Sequence, residues 1–300
     1  MTALYSLARR GRYPGWRSIL FVPANVPRFA AKAPGVGADA VQVDLEDSVP
    51  ESEKDQARRV VAAVAAQVRS AGADVIVRIN RPISQAVRDV EAAVGPAVDA
   101  ITVTKVDGPS HIRLIDELIS ECELRAGLEL GHTKINAVVE TAQAFAALDE
   151  IAAASPRIGS MMLGSEDFAL ELGAEPDDEV LLGPKQRMII AARAAGLAPL
   201  GYIGTIAGFA DPQAFRRMVR RSRRFGFEGG TCIHPSQVAI LNDEFGVKAE
   251  EVEFARKVMV GNAEALAAGR GSFQIDGRMI DAPIVERARR VLEKADRKPA

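Results

Sequence analysis

Short apolar runs alternate with longer amphipathic stretches along most of this chain, and this alternation constrains the fold more than any other feature. The runs are short and rich in β-branched residues, as in Val41-Gln-Val-Asp-Leu, which indicates strands, and each is followed by a stretch with helical spacing. The eight predicted strands are Ser18–Pro23, Ala40–Asp47, Asp74–Asn80, Ala100–Val106, Lys134–Glu140, Ile158–Asp167, Leu200–Thr205 and Gly229–Pro235. Eight such units predict a (β/α)8 TIM barrel, an α/β fold. The alternative, a doubly wound sheet, lacks its phosphate-binding glycine fingerprint here.

The predicted barrel occupies residues 1–245 and leaves residues 246–300 as a separate segment. In that segment the spacing predicts one helix from Lys248 to Ala268, a flexible joint at residues 268–272 and a closing helix from Pro283 to about Lys294. The segment is too short to be a domain. We therefore expect a C-terminal helical extension that acts as a lid or as a subunit-docking arm.

The composition argues against several classes of protein. Apolar residues make up 48% of the chain and charged residues 26%, as expected of a globular protein with a sizeable core. Lysine and arginine (38) nearly balance aspartate and glutamate (40), so no overall charge favours a nucleic acid or a membrane surface. Met1–Pro14 lacks the apolar core of a signal peptide, and the two cysteines fit neither a metal pattern nor a disulfide framework. These features lead us to expect a cytoplasmic protein.

Charged residues collect at the carboxyl ends of five consecutive predicted strands, which is where a barrel of this kind places its active site. They are Asp44, Glu46, Asp47, Arg78, Lys105, Glu140 and Asp167. Glu140 and Asp167 end neighbouring strands, so the two carboxylates should point into the same space. Carboxylate oxygens are suitable ligands for a hard cation such as Mg²⁺. The alternative interpretation is that both are helix N-terminal acids favoured by the helix dipole.

Six short motifs occur in one order along the chain. They are Arg17-Ser-Ile-Leu-Phe-Val-Pro-Ala-Asn25, Asp44-Leu-Glu-Asp-Ser48, Val77-Arg-Ile-Asn80, Val139-Glu-Thr-Ala142, Gly164-Ser-Glu-Asp167 and Cys232-Ile-His-Pro-Ser-Gln237. As an ordered set they resemble the citrate lyase β-subunit-like family of CoA-ester lyases, in the HpcH/HpaI aldolase superfamily, over about residues 16 to 295. The resemblance implies a TIM barrel, a homotrimer or a dimer of trimers (hexamer), and Mg²⁺-dependent cleavage or formation of a 3-hydroxyacyl-CoA. Malyl-, citramalyl- and citryl-CoA are the substrates to expect.

The resemblance also implies which acids hold the metal. Glu140 and Asp167 would be the direct Mg²⁺ ligands, and Glu140 would also face the substrate. Five acids on one divalent ion would overcharge it. Three acids are therefore expected to hold metal-bound waters or to orient the arginine of the third strand: Asp44, Glu46 and Asp47.

Two basic residues and the first βα loop are the expected substrate contacts. Arg78 is a fixed cation whose planar fork can bind a carboxylate or a thioester oxygen. Lys105 follows Thr104, where the family usually has proline, and we expect it either to give electrostatic support or to be purely structural. The residues that stand near the family's CoA contacts are Arg17, Phe21 and Arg28.

Asp281 is the remaining catalytic candidate. In related lyases a corresponding aspartate on the C-terminal segment reaches the active site of a neighbouring subunit and acts as the acid/base at the acetyl-type carbon. The alternative is a helix N-cap, because Ala282 and Pro283 follow Asp281 in a good capping pattern. One residue could serve both purposes.

Other interpretations stay open from the sequence alone. The chain could be the β-subunit of a multi-subunit citrate lyase that acts on an acyl-carrier-protein thioester, or a CoA-binding barrel with a decayed site. The arginines between Arg216 and Arg224 are interleaved with apolar residues at helical spacing, which predicts a solvated barrel-helix face. His111 and His132 are expected at the surface, and His234 either touches substrate or fixes the His-Pro turn.

Overall fold

The computed structural model describes residues 13–204 and 211–296. These residues form two compact units that divide between Phe245 and Gly246, and each unit is described by itself. In the described part of the chain, no helix has both the length and the apolar character that a membrane crossing requires.

The first unit is built on eight parallel strands. They are β1 Ser18–Pro23, β2 Ala40–Asp44, β3 Asp74–Ile79, β4 Ala100–Val103, β5 Lys134–Val139, β6 Ile158–Leu163, β7 Ala198–Pro199 and β8 Gly230–Cys232. Each strand from β1 to β6 pairs with the next one along the chain, and β8 pairs with β1. A parallel bridge between Leu200 and Gly229 joins the β7 and β8 sides of the ring. The predicted (β/α)8 fold is confirmed.

Helices follow the strands and cover the outside of the ring. They are α1 Pro27–Lys32, α2 Lys54–Ser70, α3 Ile83–Ala93, α4 Pro109–Arg125, α5 Ala142–Ala146, α6 Leu148–Ala152, α7 Ser165–Glu171, α8 Asp178–Ala194, α9 Pro212–Phe225 and α10 Pro235–Phe245. Two short 3-10 helices lie at Ala33–Val36 and Glu51–Glu53. Several helices begin at a capping side chain: Asp177 accepts a hydrogen bond from the Val180 N–H, and Asp211 accepts one from the Ala214 N–H.

The seventh predicted strand is misplaced. We expected it at Leu200–Thr205, whereas β7 is only Ala198–Pro199. The chain leaves the strand direction at Gly201, whose φ of +126° is one that residues with a side chain rarely adopt. Thr205 lies outside the described residues.

Alternation along the strands gives each one an outer and an inner face. The outer faces pack against the helices and form the main core, with residues such as Val43, Val77 and Val103. A second apolar cluster fills the amino-terminal end of the barrel: Trp16, Ile19, Ala40, Ile76, Ala100 and Leu200. The next inward-facing positions carry buried polar side chains: Gln42, Thr102, Asn136 and Ser160. This layer of the barrel interior is therefore polar, between the apolar cluster and the charged strand ends.

A buried ion-pair network anchors β6 at its amino-terminal end. Arg157 has no exposed side-chain surface, and its two terminal nitrogens donate to Glu123 at 2.8 and 2.7 Å. Its Nε donates to Asp116, which has 5% side-chain exposure. A buried pair costs desolvation, but removing one partner leaves an uncompensated charge.

Replacing Arg157 by methionine is expected to lower the free energy of unfolding by about 3–5 kcal/mol, because two buried carboxylates lose their cation. Urea denaturation measures this change. Arg187→Met is the matched control, since Arg187 forms a solvent-exposed pair with Asp149 and should be tolerated. Equal effects of the two substitutions would contradict the assignment of Arg157 as an anchor.

The second unit is small and has apolar contacts of its own. It contains α11 Ala249–Ala267, β9 Phe273–Ile275, β10 Arg278–Ile280 and α12 Ala282–Ala295. The two strands form an antiparallel hairpin across Asp276-Gly277, both with positive φ. Its buried cluster consists of Ala255, Val258, Ile280, Val285 and Ala288. The residues beyond the predicted joint thus pack against α11 in this cluster.

Candidate active site

An acid–arginine cluster lies at the carboxyl ends of β2 and β3. Arg78 donates from Nε and Nη2 to the two oxygens of Asp44, each at 2.7 Å. Ser48 and the Glu46 N–H also donate to Asp44, which is fully buried. Burial alone would raise the pKa of Asp44, but Arg78 outweighs it and holds that pKa below its usual value. Asp44 therefore orients Arg78, as one of the two predicted roles requires.

Glu46 connects the arginine to Lys105. Glu46 Oε2 lies 3.0 Å from Arg78 Nη1, and Glu46 Oε1 accepts a hydrogen bond of 2.6 Å from Lys105 Nζ. The more exposed Asp47 lies 3.2 Å from the same Nζ. Burial opposes the charge on Lys105, but its bonds to Glu46 and Asp47 raise its pKa above the usual value. The lysine is therefore protonated, which suits electrostatic support and not a Schiff base.

The backbone of Lys105 is as important as its side chain. Its φ of +47° is uncommon for a residue with a Cβ. In this conformation the Lys105 N–H donates to Glu140 Oε2 at 2.6 Å while Nζ reaches Glu46. The loop after β4 thus links Glu140 to the acid–arginine cluster. Such strain commonly accompanies functional sites.

Glu140 directly follows β5 and is 7% exposed. A Cβ at position 164 would lie only 2.4 Å from Glu140 Oε1, so glycine there leaves the room that this carboxylate occupies. Burial, together with the charges of Asp167 and Glu46, raises the pKa of Glu140 to about 7. The Lys105 N–H and the charge of Lys105 favour ionised Glu140 but only partly offset this effect.

Asp167 does not end β6 as predicted, because that strand stops at Leu163 and Asp167 lies in the first turn of α7. It nevertheless lines the same cavity of about 200 Å³ as Arg78 and Glu140. Both interpretations of Asp167 therefore hold in part: the acid is at a helix N-terminus and it faces the cavity. Among the described residues, no group of three or more His, Cys, Asp and Glu side chains is arranged to hold a metal ion. Two carboxylates remain available, and Mg²⁺ is commonly held by one or two carboxylates together with waters and substrate.

The three predicted CoA contacts have different positions. The Phe21 ring lies in the cavity, with Arg78 Cζ 4.9 Å from its centroid. Arg28 is exposed in α1, on the loop side of β1, and covers the ring of Phe29. Arg17 precedes β1, at the opposite end of the barrel from Arg78, and pairs with Asp39 through two bonds of 2.8 and 2.7 Å. Assigning Arg17 to the site was therefore wrong.

His111 and His234 are not among the described residues that line this cavity. His234 accepts the Ser236 N–H at 3.2 Å and so belongs to the His-Pro turn. His111 is buried, not at the surface as expected, and burial followed by the charge of Arg81 lowers its pKa to about 4. Asp281 is the residue before α12, and its side chain makes no capping hydrogen bond.

The arginine-rich stretch forms α9, a helix on the outside of the barrel. Phe215 and Val219 bury one face of this helix. Arg216 and Arg220 on another face form ion pairs with Glu244. These contacts fit the predicted barrel-helix face.

Several cavity residues were missed by the motif analysis. They include Gln42, Thr102, Thr104, Met162 and Tyr202. The polar residues interrupt apolar strands at inward-facing positions, and this interruption was the signal available in the sequence. Met162 and Tyr202 carry no such signal, because apolar and aromatic residues are common in any barrel.

Comparisons with known proteins place this arrangement in a family. The family described as HpcH/HpaI aldolase/citrate lyase matches residues 17–235. The chain is 32% identical to the citrate lyase subunit beta of Leuconostoc mesenteroides subsp. cremoris, covering 93% of each chain. It is also 32% identical to a (3S)-malyl-CoA thioesterase of Cereibacter sphaeroides, covering 94% of this chain and 95% of the other.

A solved relative has the same architecture. The CitE protein of Mycobacterium tuberculosis, whose crystal structure is a complex with magnesium, acetoacetate and coenzyme A, is 29% identical. The two structures superpose with a TM-score of 0.72 over 95% of this chain and 99% of CitE. The chain thus belongs to the HpcH/HpaI aldolase/citrate lyase family, and it is a lyase, as its ordered motifs predict.

Proposed function

We propose that this lyase is magnesium-dependent and cleaves or forms the carbon–carbon bond of a 3-hydroxyacyl-CoA such as malyl-, citramalyl- or citryl-CoA. The observation that carries the proposal is the meeting of Glu140, Asp167 and Arg78 on one cavity. The magnesium, acetoacetate and coenzyme A in the CitE complex support the same chemistry.

The residues present fit a magnesium ion. In the part of the chain that the structure describes, no side-chain cation is hydrogen-bonded to the buried Glu140 carboxylate, and Gly164 leaves its oxygens room. Asp167 supplies a second carboxylate to the same cavity. Glu140 and Asp167 would hold the ion, which leaves coordination positions for substrate and water. When bound, Mg²⁺ supplies Lewis-acid stabilisation of charge on a substrate oxygen, worth several kcal/mol.

In the cleavage direction the substrate hydroxyl gives its proton to a base such as a carboxylate that faces the cavity, and the bond between the hydroxyl-bearing carbon and the carbon next to the thioester breaks. The electron pair of that bond passes to the thioester enolate, and the former hydroxyl carbon becomes the carbonyl carbon of the 2-oxo acid. Arg78 donates to oxygen atoms that carry charge in this step. Two of its five N–H donors are taken by Asp44, and Nη1 also faces Glu46, so only part of the guanidinium remains for substrate.

The enolate carbon must then receive a proton. We assign this step to Asp281. We assign to Lys105 the positive charge that faces the substrate, and to Asp47 and Glu46 the contacts that hold this lysine in place. Phe21 and Arg28 are the proposed contacts of the CoA moiety. A homotrimer or hexamer in the cytoplasm, with a CoA thioester and a keto acid as its small-molecule partners, completes the proposal.

The test is a coupled screen of malyl-, citramalyl- and citryl-CoA that measures release of glyoxylate, pyruvate and oxaloacetate. Mg²⁺-dependent release from at least one of these thioesters is expected. The matching acyl-carrier-protein thioesters serve as the comparison, because cleavage of those alone would make the chain a citrate lyase β-subunit. No release from either set would refute the proposed activity.

Arg78→Lys is expected to reduce turnover by about 10²–10³-fold while Mg²⁺ affinity changes little. Lysine keeps the charge but loses the planar fork that binds Asp44 and presents donors to substrate. Steady-state kinetics and Mg²⁺ titration measure the two effects. Arg58→Lys is the matched control, since Arg58 is a buried ion-paired arginine outside the cavity. Normal turnover of Arg78→Lys would mean that Arg78 only stabilises the fold.

A further inference from the structure

A chain of hydrogen bonds crosses the inside of the barrel directly below the charged cluster. Ser160 Oγ donates to Asn136 Oδ1 at 3.0 Å, and Asn136 Nδ2 donates to Thr102 Oγ1 at 3.1 Å. Thr102 Oγ1 in turn donates to Gln42 Oε1 at 2.7 Å. All four side chains are buried. They come from β6, β5, β4 and β2, so the chain spans one side of the ring.

The direction of this hydrogen-bond chain is fixed by Met162. Asn136 Nδ2 lies 3.9 Å from Met162 Sδ, and a thioether sulfur can only accept. The Asn136 NH₂ group therefore faces Met162 and Thr102, and it donates a hydrogen bond to the Thr102 hydroxyl. That hydroxyl donates its own hydrogen bond to Gln42 Oε1, so the Gln42 NH₂ group points away from Thr102.

The Gln42 NH₂ group is the open end of the chain. Gln42 is only 1% exposed, and it lines the same cavity as Arg78 and Glu140. Within residues 13–204 and 211–296, the one side-chain hydrogen bond of Gln42 is the one that Oε1 accepts from Thr102. The NH₂ group of this cavity-lining side chain is therefore available to a ligand. A site built to hydrogen-bond a ligand oxygen discriminates strongly against ligands that lack it.

We propose that Gln42 is a specificity-determining residue that donates a hydrogen bond to a carboxylate oxygen of the 2-oxo acid half of the substrate. Gln42 lies two residues before Asp44 on β2, one inward-facing position deeper than the acid–arginine cluster. The oxo acid thus enters between Arg78 above and Gln42 below, and the apolar side chains of Phe21 and Met162 limit its size. This inference rests on the proposed function, because it takes the oxo acid to be the product.

The experiment measures the dissociation constants of glyoxylate, pyruvate and oxaloacetate by calorimetry in the presence of Mg²⁺. Gln42→Met, an apolar side chain of similar length, is expected to weaken binding of the preferred acid by about 10- to 100-fold. Thr102→Val should weaken it less, because the amide remains but is free to turn. Gln85→Met makes the same chemical change on α3, outside the cavity, and should leave binding within about twofold.

Binding within twofold of wild type in Gln42→Met would overturn the inference. If that variant did not fold, as judged by circular dichroism, unchanged binding in Thr102→Val would overturn it instead. The experiment distinguishes a failure of this inference from a failure of the proposed function. A wild-type protein that binds an oxo acid but releases none from any hydroxyacyl-CoA would refute the function alone, and one that binds no oxo acid would refute the inference.

Discussion

Replacing Glu140 or Asp167 by alanine is expected to abolish turnover and Mg²⁺ binding while the barrel stays folded. The loss of turnover should be at least about a thousandfold, because the Lewis-acid contribution of a bound metal is several kcal/mol. The fold should survive because β5 and β6 are held by their outer faces, which pack on the helices. Circular dichroism, Mg²⁺ titration and steady-state kinetics measure the three quantities.

The matched control for this pair is Glu179→Ala, which removes an exposed acid from the first turn of α8, outside the cavity. It should bind Mg²⁺ and turn over substrate as wild type does. Wild-type Mg²⁺ affinity in either Glu140→Ala or Asp167→Ala would defeat the ligand assignment. Unfolding of either variant would instead show that these acids stabilise the barrel.

The strand ends were the most predictable part of this molecule. β-Branched runs of fixed period locate strands, and parallel strands bring their carboxyl ends to one side. Arg78, Glu140 and Asp44 are therefore placed together by topology alone, before any contact is known. The contacts themselves follow from burial: a buried arginine needs carboxylates nearby, and Asp44 supplies one.

The predictions failed where local geometry decides the outcome. Arg17 belongs to a family motif, yet it precedes β1 and so lies at the opposite end of the barrel from the site. β7 is short because Gly201 adopts a left-handed conformation, which a strand pattern cannot show. Gln42 was visible as a polar residue in an apolar strand, but its role depends on partners from three other strands.

The sequence of the C-terminal unit contains a turn signal that the predicted helices and joint did not include. Asp276-Gly277 between two short runs is a strong indication of a two-residue hairpin turn, and both residues have positive φ in the structure. The hairpin brings Ile280 into a cluster with α11 and α12. Asp281 therefore follows an ordered strand, not a flexible joint.

Asp281→Asn is expected to reduce turnover by about 10²–10⁴-fold, the range usual for a general acid or base. The reaction needs a group that protonates the enolate carbon, and two of the carboxylates that line the cavity, Glu140 and Asp167, are assigned to the metal. Asp281 occupies the N-cap position of α12, but its side chain makes no capping hydrogen bond there. Asp276→Asn is the matched control, because it makes the same change in the same unit at a turn that asparagine tolerates.

A mixing experiment then decides which subunit's site Asp281 serves. Asp281→Asn and Glu140→Ala are each expected to be inactive, and they are mixed after dissociation and reassembly. If Asp281 acts across a subunit interface, mixed oligomers regain part of the activity, because some sites combine an intact barrel with an intact C-terminal unit. Two inactive parents without complementation would place Asp281 in the site of its own subunit. Full activity of Asp281→Asn by itself would end the catalytic assignment, since no general acid can be removed without loss of rate.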